Sequence, residues 1–198
     1  MPAPRRALLV IDVQNEYFTG QLRIAHPPLS ASLPNIVRAI DVARAQGVPV
    51  VVFQHTMAAD APVFADGSDT WALHPDVAAR PRDHHLLKAH PSVFTSTDLA
   101  AWLAARDIDT VTVVGYMTHN CNASSVFEAF HRGLRVEVLG DASGALAYAN
   151  AAGQASAEEI HRVFSVVFHS NFAAVVSTDA GIAALQAGQA LRPDNVLS

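Results

Sequence analysis

Cysteine is almost missing from this sequence: 198 residues contain one. A lone thiol cannot close an internal disulfide or build a cysteine-based zinc cluster. Charge is sparse as well, at 16% of residues against 51% hydrophobic, with a formal net charge of −5. The basic residues form no stripe, so nucleic acid and anionic membranes lack the electrostatic footprint they require. No apolar stretch is long enough to span a bilayer, and the one nearest the N-terminus is interrupted by Asp12 and too short for a secretory signal. A cytoplasmic protein is therefore expected. Repeats, low-complexity tracts and linkers are also absent, so residues 1–198 read as one globular domain with a substantial core.

What is present is an alternation of two patterns. Residues 7–13 (ALLVIDV) form a nearly continuous apolar run, as do 48–54, 110–115, 135–139 and 172–177, with a weaker one at 83–87. Such runs suit strands buried on both faces. Between them, residues 33–46, 97–106, 121–132, 155–168 and 179–186 carry apolar side chains at helical spacing, with Gly47 and Gly133 as stops. Thr97 or Ser96 is the candidate N-cap of the second helix. The fold class is α/β: a six-stranded, mostly parallel sheet between helical layers. Residues 56–82, rich in Pro, Asp and Ala, have no clear period, and a loop of that length is often a lid or binding loop.

Ligands of open parallel sheets bind beyond the carboxyl ends of the strands. Asp12, Lys88 and Cys121 all fall at such ends. A carboxylate inside an apolar run is costly unless paired. A thiol at a helix N-terminus, with an ammonium nearby, is expected to titrate below its ordinary value. The bland alternatives are a strand-end Asp that caps a turn, a solvated lysine and a small buried Cys.

The segment Leu9-Val10-Ile11-Asp12-Val13-Gln14-Asn15-Glu16-Tyr17-Phe18 resembles the opening of isochorismatase-like cysteine hydrolases. Lys88-Ala89-His90-Pro91-Ser92-Val93-Phe94 is similar to their lysine motif. Gly115-Tyr116-Met117-Thr118-His119-Asn120-Cys121 is similar to their nucleophile loop, and Gly140-Asp141-Ala142 to a later motif. The resemblance implies a three-layer sandwich around a six-stranded parallel sheet, with Asp12, Lys88 and Cys121 as the catalytic group. It also implies a cis peptide between Tyr116 and Met117, which would aim the Met117 and Cys121 backbone N–H groups at one oxyanion. Phe18, Trp71, Tyr116 and Met117 are candidates for the substrate pocket. Asn122 stands where the family commonly has a small aliphatic residue, and capping of the following helix is its expected role. Ser125 replaces a frequent Thr.

Ten histidines raise the question of a metal. Nicotinamidases, one branch of this superfamily, use an Asp-x-His motif after the second strand. The equivalent stretch here is Gln54-His55-Thr56-Met57, and His84 and His85 would point to opposite faces of a strand. No metal and no cofactor are expected. The expected reaction is hydrolysis of a small amide or related C–N bond through a thioester on Cys121. Vinyl-ether hydrolysis of the isochorismatase type, with Asp12 as acid, remains open, as does a non-catalytic binding module. A nucleotide-binding fold is disfavoured because no glycine-rich phosphate loop follows the first run. The expected partners are a small-molecule substrate and further copies of the chain, since homo-oligomers are common in the superfamily.

Overall fold

A computed structural model describes residues 3–195. In chain order the elements are β1 (Arg6–Ile11), α1 (Leu29–Ala45), β2 (Val50–His55), α2 (Pro75–Ala78), β3 (His84–Lys88), α3 (Leu99–Ala104) and β4 (Thr110–Tyr116). Then follow α4 (Ala123–His131), β5 (Arg135–Gly144), a hairpin of β6 (Tyr148–Asn150) and β7 (Gly153–Ala155), α5 (Ala157–Val167), β8 (Ala174–Val176) and α6 (Thr178–Gln186). Six strands form one sheet in the order β3-β2-β1-β4-β5-β8, parallel throughout.

The apolar runs become strands because both faces are covered. Along β1, Ala7, Leu9 and Ile11 pack with residues of α3 and α4, among them Leu99, Leu103 and Val126. Leu8 and Val10 point the other way, against Ile36, Ala39, Ile40 and Ala43 of α1. This gives the three expected layers. Strand order reverses between β1 and β4, and the crevice at such a reversal is where sheets of this class hold ligands.

Gly115 shapes that crevice. Its φ is +106°, and a Cβ there would lie 2.1 Å from the Ile11 carbonyl oxygen. Only glycine lets β4 approach the end of β1 so closely. The register between β4 and β5 also shifts between Val113 and Gly115.

Several boundaries differ from the sequence reading. Helix α1 begins at Leu29 and carries Pro34 inside it; the expected start at 33 had placed that proline in the first turn, where it is most favoured. The helix after Cys121 begins at Ala123, because Thr118–Asn122 forms a π-type turn first. Helix α3 starts after Asp98, although Thr97 Oγ1 does receive the Leu99 N–H at 3.3 Å. Residues 56–82 are not a free lid. Backbone bonds from Asn15 N to Ala72 O (2.9 Å), Glu16 N to Thr70 O (2.7 Å) and His74 N to Val13 O (2.8 Å) fasten them to the segment after β1.

Candidate active site

Asp12 follows the last residue of β1. Its N–H donates to Phe53 O at 3.1 Å, and its φ of +50° is uncommon for a residue with a side chain. That turn leaves the carboxylate pointing over the strand ends, where its side chain is wholly buried. Lys88 ends β3, and its side chain is equally buried. The ammonium lies 2.7 Å from Asp12 Oδ2 and 3.3 Å from Cys121 Sγ. It also lies 3.3 Å from His55 Nδ1 and 3.1 Å from the His90 carbonyl oxygen. Four acceptors thus surround three N–H bonds, so the long side chain is held by chemistry at its head.

Cys121 sits within the π-type turn, 3% exposed. The three residues singled out from sequence therefore meet at one point. The state of the thiol differs from expectation. Burial first, and the facing Asp12 carboxylate second, push Cys121 well above its ordinary value, and the pull of Lys88 in the other direction does not offset them. The sequence reading weighed the ammonium and the helix end but not the cost of burying a thiolate. Burial also pulls on Lys88, downward, but Asp12 and Cys121 outweigh it and hold the ammonium above its usual range. His55 is pushed down by burial and by Lys88, which suits a neutral ring accepting from the ammonium.

Asp12, His55 and Cys121 have donor atoms within 4.8 Å of one another, a grouping able to hold a metal ion. The Lys88 ammonium contacts all three. The donor set already encloses a cation, and a metal ion would have to displace it.

The Tyr116–Met117 peptide is cis, as the resemblance implies. The other predicted residues take varied positions. Phe18 packs its ring 4.3 Å from that of His74 and 5.9 Å from that of Tyr116. Tyr116 is fully buried, with its hydroxyl 2.8 Å from Ser32 Oγ of α1, so it backs the site from behind. Met117 is 3% exposed and immediately precedes the turn that carries Cys121. Trp71 is fixed by its carbonyl, which accepts from Gln14 Nε2 at 2.7 Å and Gln54 Nε2 at 3.0 Å, while its buried Nε1 has no partner among the described residues. Asn122 does not cap α4. Its Nδ2 reaches back to Gly115 O at 2.8 Å and Ser143 Oγ at 2.9 Å. His84 and His85 face separate partners, Asp98 and Gln54, as opposite faces require.

Some neighbours were not foreseen. His119, two residues before Cys121, bonds Tyr148 OH of the β6–β7 hairpin at 3.1 Å, and burial pushes His119 down to about 4. Tyr148 is raised by burial first and by Cys121 second. Beneath the turn, Thr118, Ser143 and His161 form a buried polar chain. No local pattern marks these residues. One signal was available for the lysine: Lys88 is the only lysine in the chain.

Comparison with known proteins gives a consistent result. The family model described as the isochorismatase domain matches residues 6–180. A crystal structure of a candidate isochorismatase from Burkholderia xenovorans LB400 is 60% identical and superposes with a TM-score of 0.98, covering 98% of this chain and 94% of that one. A secreted isochorismatase effector of Verticillium dahliae is 32% identical over 69% of this chain and 71% of its own length. A ureidoacrylate amidohydrolase of Methylobacterium radiotolerans is 31% identical over 78% of this chain and 69% of its own.

Proposed function

The chain belongs to the isochorismatase family of hydrolases, and from that premise we propose that it cleaves the C–N bond of a small amide or ureido compound through a thioester on Cys121. The observation that carries this is the contact of Lys88 Nζ with both Asp12 and Cys121 in a buried site. Carboxylate, ammonium and thiol sum to zero charge. Moving the thiol proton to Asp12 gives a carboxylic acid, an ammonium and a thiolate, which also sum to zero. The proton thus shifts between neighbours without adding net charge to a dry site.

In this reading the thiol is protonated at rest and loses its proton as sulfur attacks the carbonyl. The Met117 and Cys121 N–H groups receive the oxyanion. The tetrahedral adduct collapses, the C–N bond breaks, and the amine leaves with the proton held by Asp12. Water then gives a proton back to Asp12 while its oxygen attacks the thioester, and release of the acid restores the thiol. Phe18, Met117, Tyr148 and His55 border the substrate, with Tyr116 behind them. The similarity to an amidohydrolase supports C–N cleavage. We place the enzyme in the cytoplasm, where a reducing milieu keeps the single nucleophile a thiol. Among the described residues no helix is long and apolar enough to cross a membrane. Self-association is also proposed, through the outer face of α5, where Val163 and Val166 are 47% and 62% exposed.

Ammonia release from a panel of primary amides and ureido acids tests the chemistry, with hydroxylamine to trap the acyl enzyme as a hydroxamate. Activity should disappear in Cys121→Ala and Asp12→Asn. Amide turnover that survives Cys121→Ala would end the thioester mechanism. Hydrolysis of isochorismate that needs Asp12 but not Cys121 would favour vinyl-ether chemistry.

A further inference from the structure

Four polar side chains, two of the turn that carries Cys121 and two outside it, form one hydrogen-bonded chain. Asn122 Nδ2 donates to Gly115 O and to Ser143 Oγ. Ser143 Oγ lies 2.7 Å from Thr118 Oγ1, and Thr118 Oγ1 lies 2.8 Å from His161 Nδ1. Asn122 and Ser143 are fully buried, Thr118 is 1% exposed and His161 9%.

An amide nitrogen only donates, so Ser143 Oγ accepts from Asn122. The Thr118 hydroxyl has one proton, so it donates to one of Ser143 and His161 and accepts from the other. His161 Nδ1 completes the chain in the role that Thr118 leaves open, set by the tautomer of the ring. Burial, with His26 and His119 nearby, pushes His161 down to about 4 and keeps the ring neutral at pH 7.

Thr118 and Asn122 are the first and last residues of the π-type turn that carries Cys121. Ser143 bridges them, and His161 of α5 ends the chain. We propose that His161 is a positioning residue for the proposed hydrolase: as the terminal partner of this hydrogen-bonded chain it fixes, through Thr118, Ser143 and Asn122, the turn that presents the Cys121 thiol and the backbone N–H groups. Without a polar partner at 161 the buried Thr118 hydroxyl loses one of its two hydrogen bonds, and it is expected to turn away and loosen one end of the turn. His161 touches no reacting atom and acts only through the turn.

This inference rests on the amide-hydrolase reading for its meaning, but its test does not depend on that reading. The probe is iodoacetamide, which reads the presentation of Cys121 directly. The variants are Thr118→Val and His161→Leu, which break the chain, and Thr118→Ser and His161→Asn, which keep a hydroxyl or a polar partner. The alkylation rate at pH 7 is expected to change fivefold or more in the first pair and less than twofold in the second. With the best amide of the panel, kcat should fall tenfold or more in the breaking pair while KM changes less than twofold, and the conservative pair should recover to within threefold. Should His161→Leu fail to fold, Thr118→Val against Thr118→Ser decides the matter. Equal behaviour of breaking and conservative variants, in either direction, overturns the proposal. If wild type releases ammonia from no amide, the hydrolase reading fails separately and the alkylation pattern still judges the positioning role.

Discussion

At position 115 a single methyl group would collide with the carbonyl oxygen that precedes Asp12. Gly115→Ala combines that clash with an unfavourable φ, so it should destabilise the fold by roughly 3 kcal/mol or more, read as a lower urea midpoint at unchanged m-value. Any folded fraction should have lost the Lys88 contacts and hence activity. At this same scale, the side chains of the candidate site were legible in sequence because their chemistry clashed with their surroundings: a carboxylate in an apolar run, and reactive groups at strand ends. Lys88 carried little signal by type, although being the only lysine in the chain sets it apart. The direction of the Cys121 shift was not legible. It depends on how completely the turn is buried, and burial comes from tertiary packing that spacing does not encode.

The strands were legible as elements because continuous apolar runs have few other uses in a chain of this length. The ends of elements were less so. The π-type turn of Thr118–Asn122 delays α4, and the β6–β7 hairpin forms from residues that lack strand alternation and stay mostly exposed. Helix α5 illustrates the limit: its apolar residues mark it as a helix, yet His161 gains its role only by meeting Thr118, 43 residues earlier. That meeting has a thermodynamic consequence. In the unfolded chain this histidine titrates near 6.5 and in the fold near 4. Between those values the unfolded state binds the extra proton, so the stabilisation is full above about pH 6.5 and is lost as pH falls towards 4. Between pH 7 and pH 5 the protein should lose on the order of 1 kcal/mol from this residue. Thermal melts of wild type and His161→Asn at both pH values should show the smaller drop in the variant.

Across the whole molecule, the three-layer architecture followed from the order of apolar runs, and the sheet proved parallel in all six strands. A second buried ion pair lies at the opposite end of β1 from the candidate active site. Arg6 grips Glu137 of β5 through Nε–Oε2 (2.9 Å) and Nη2–Oε1 (2.8 Å), and Thr112 of β4 adds a bond of 2.9 Å. The Arg6 guanidinium also bonds the Gln189 carbonyl, which ties the segment after α6 to the sheet. Glu137→Gln leaves a buried cation without its counter-charge and should cost about 3–5 kcal/mol in urea unfolding. Because the lesion lies at the far end of the sheet, kcat of the fraction that folds should change little.

The pairing of one cysteine with one lysine, 3.3 Å apart and out of solvent, reaches into how the protein can be handled. Among the described residues the outer surface offers no thiol and no lysine amine. Amine-reactive dyes and cross-linkers should therefore leave Lys88 unmodified in the folded chain. Label found on Lys88 by peptide mapping would report that a chain had opened at its candidate active site, which makes one residue a gauge of intact protein.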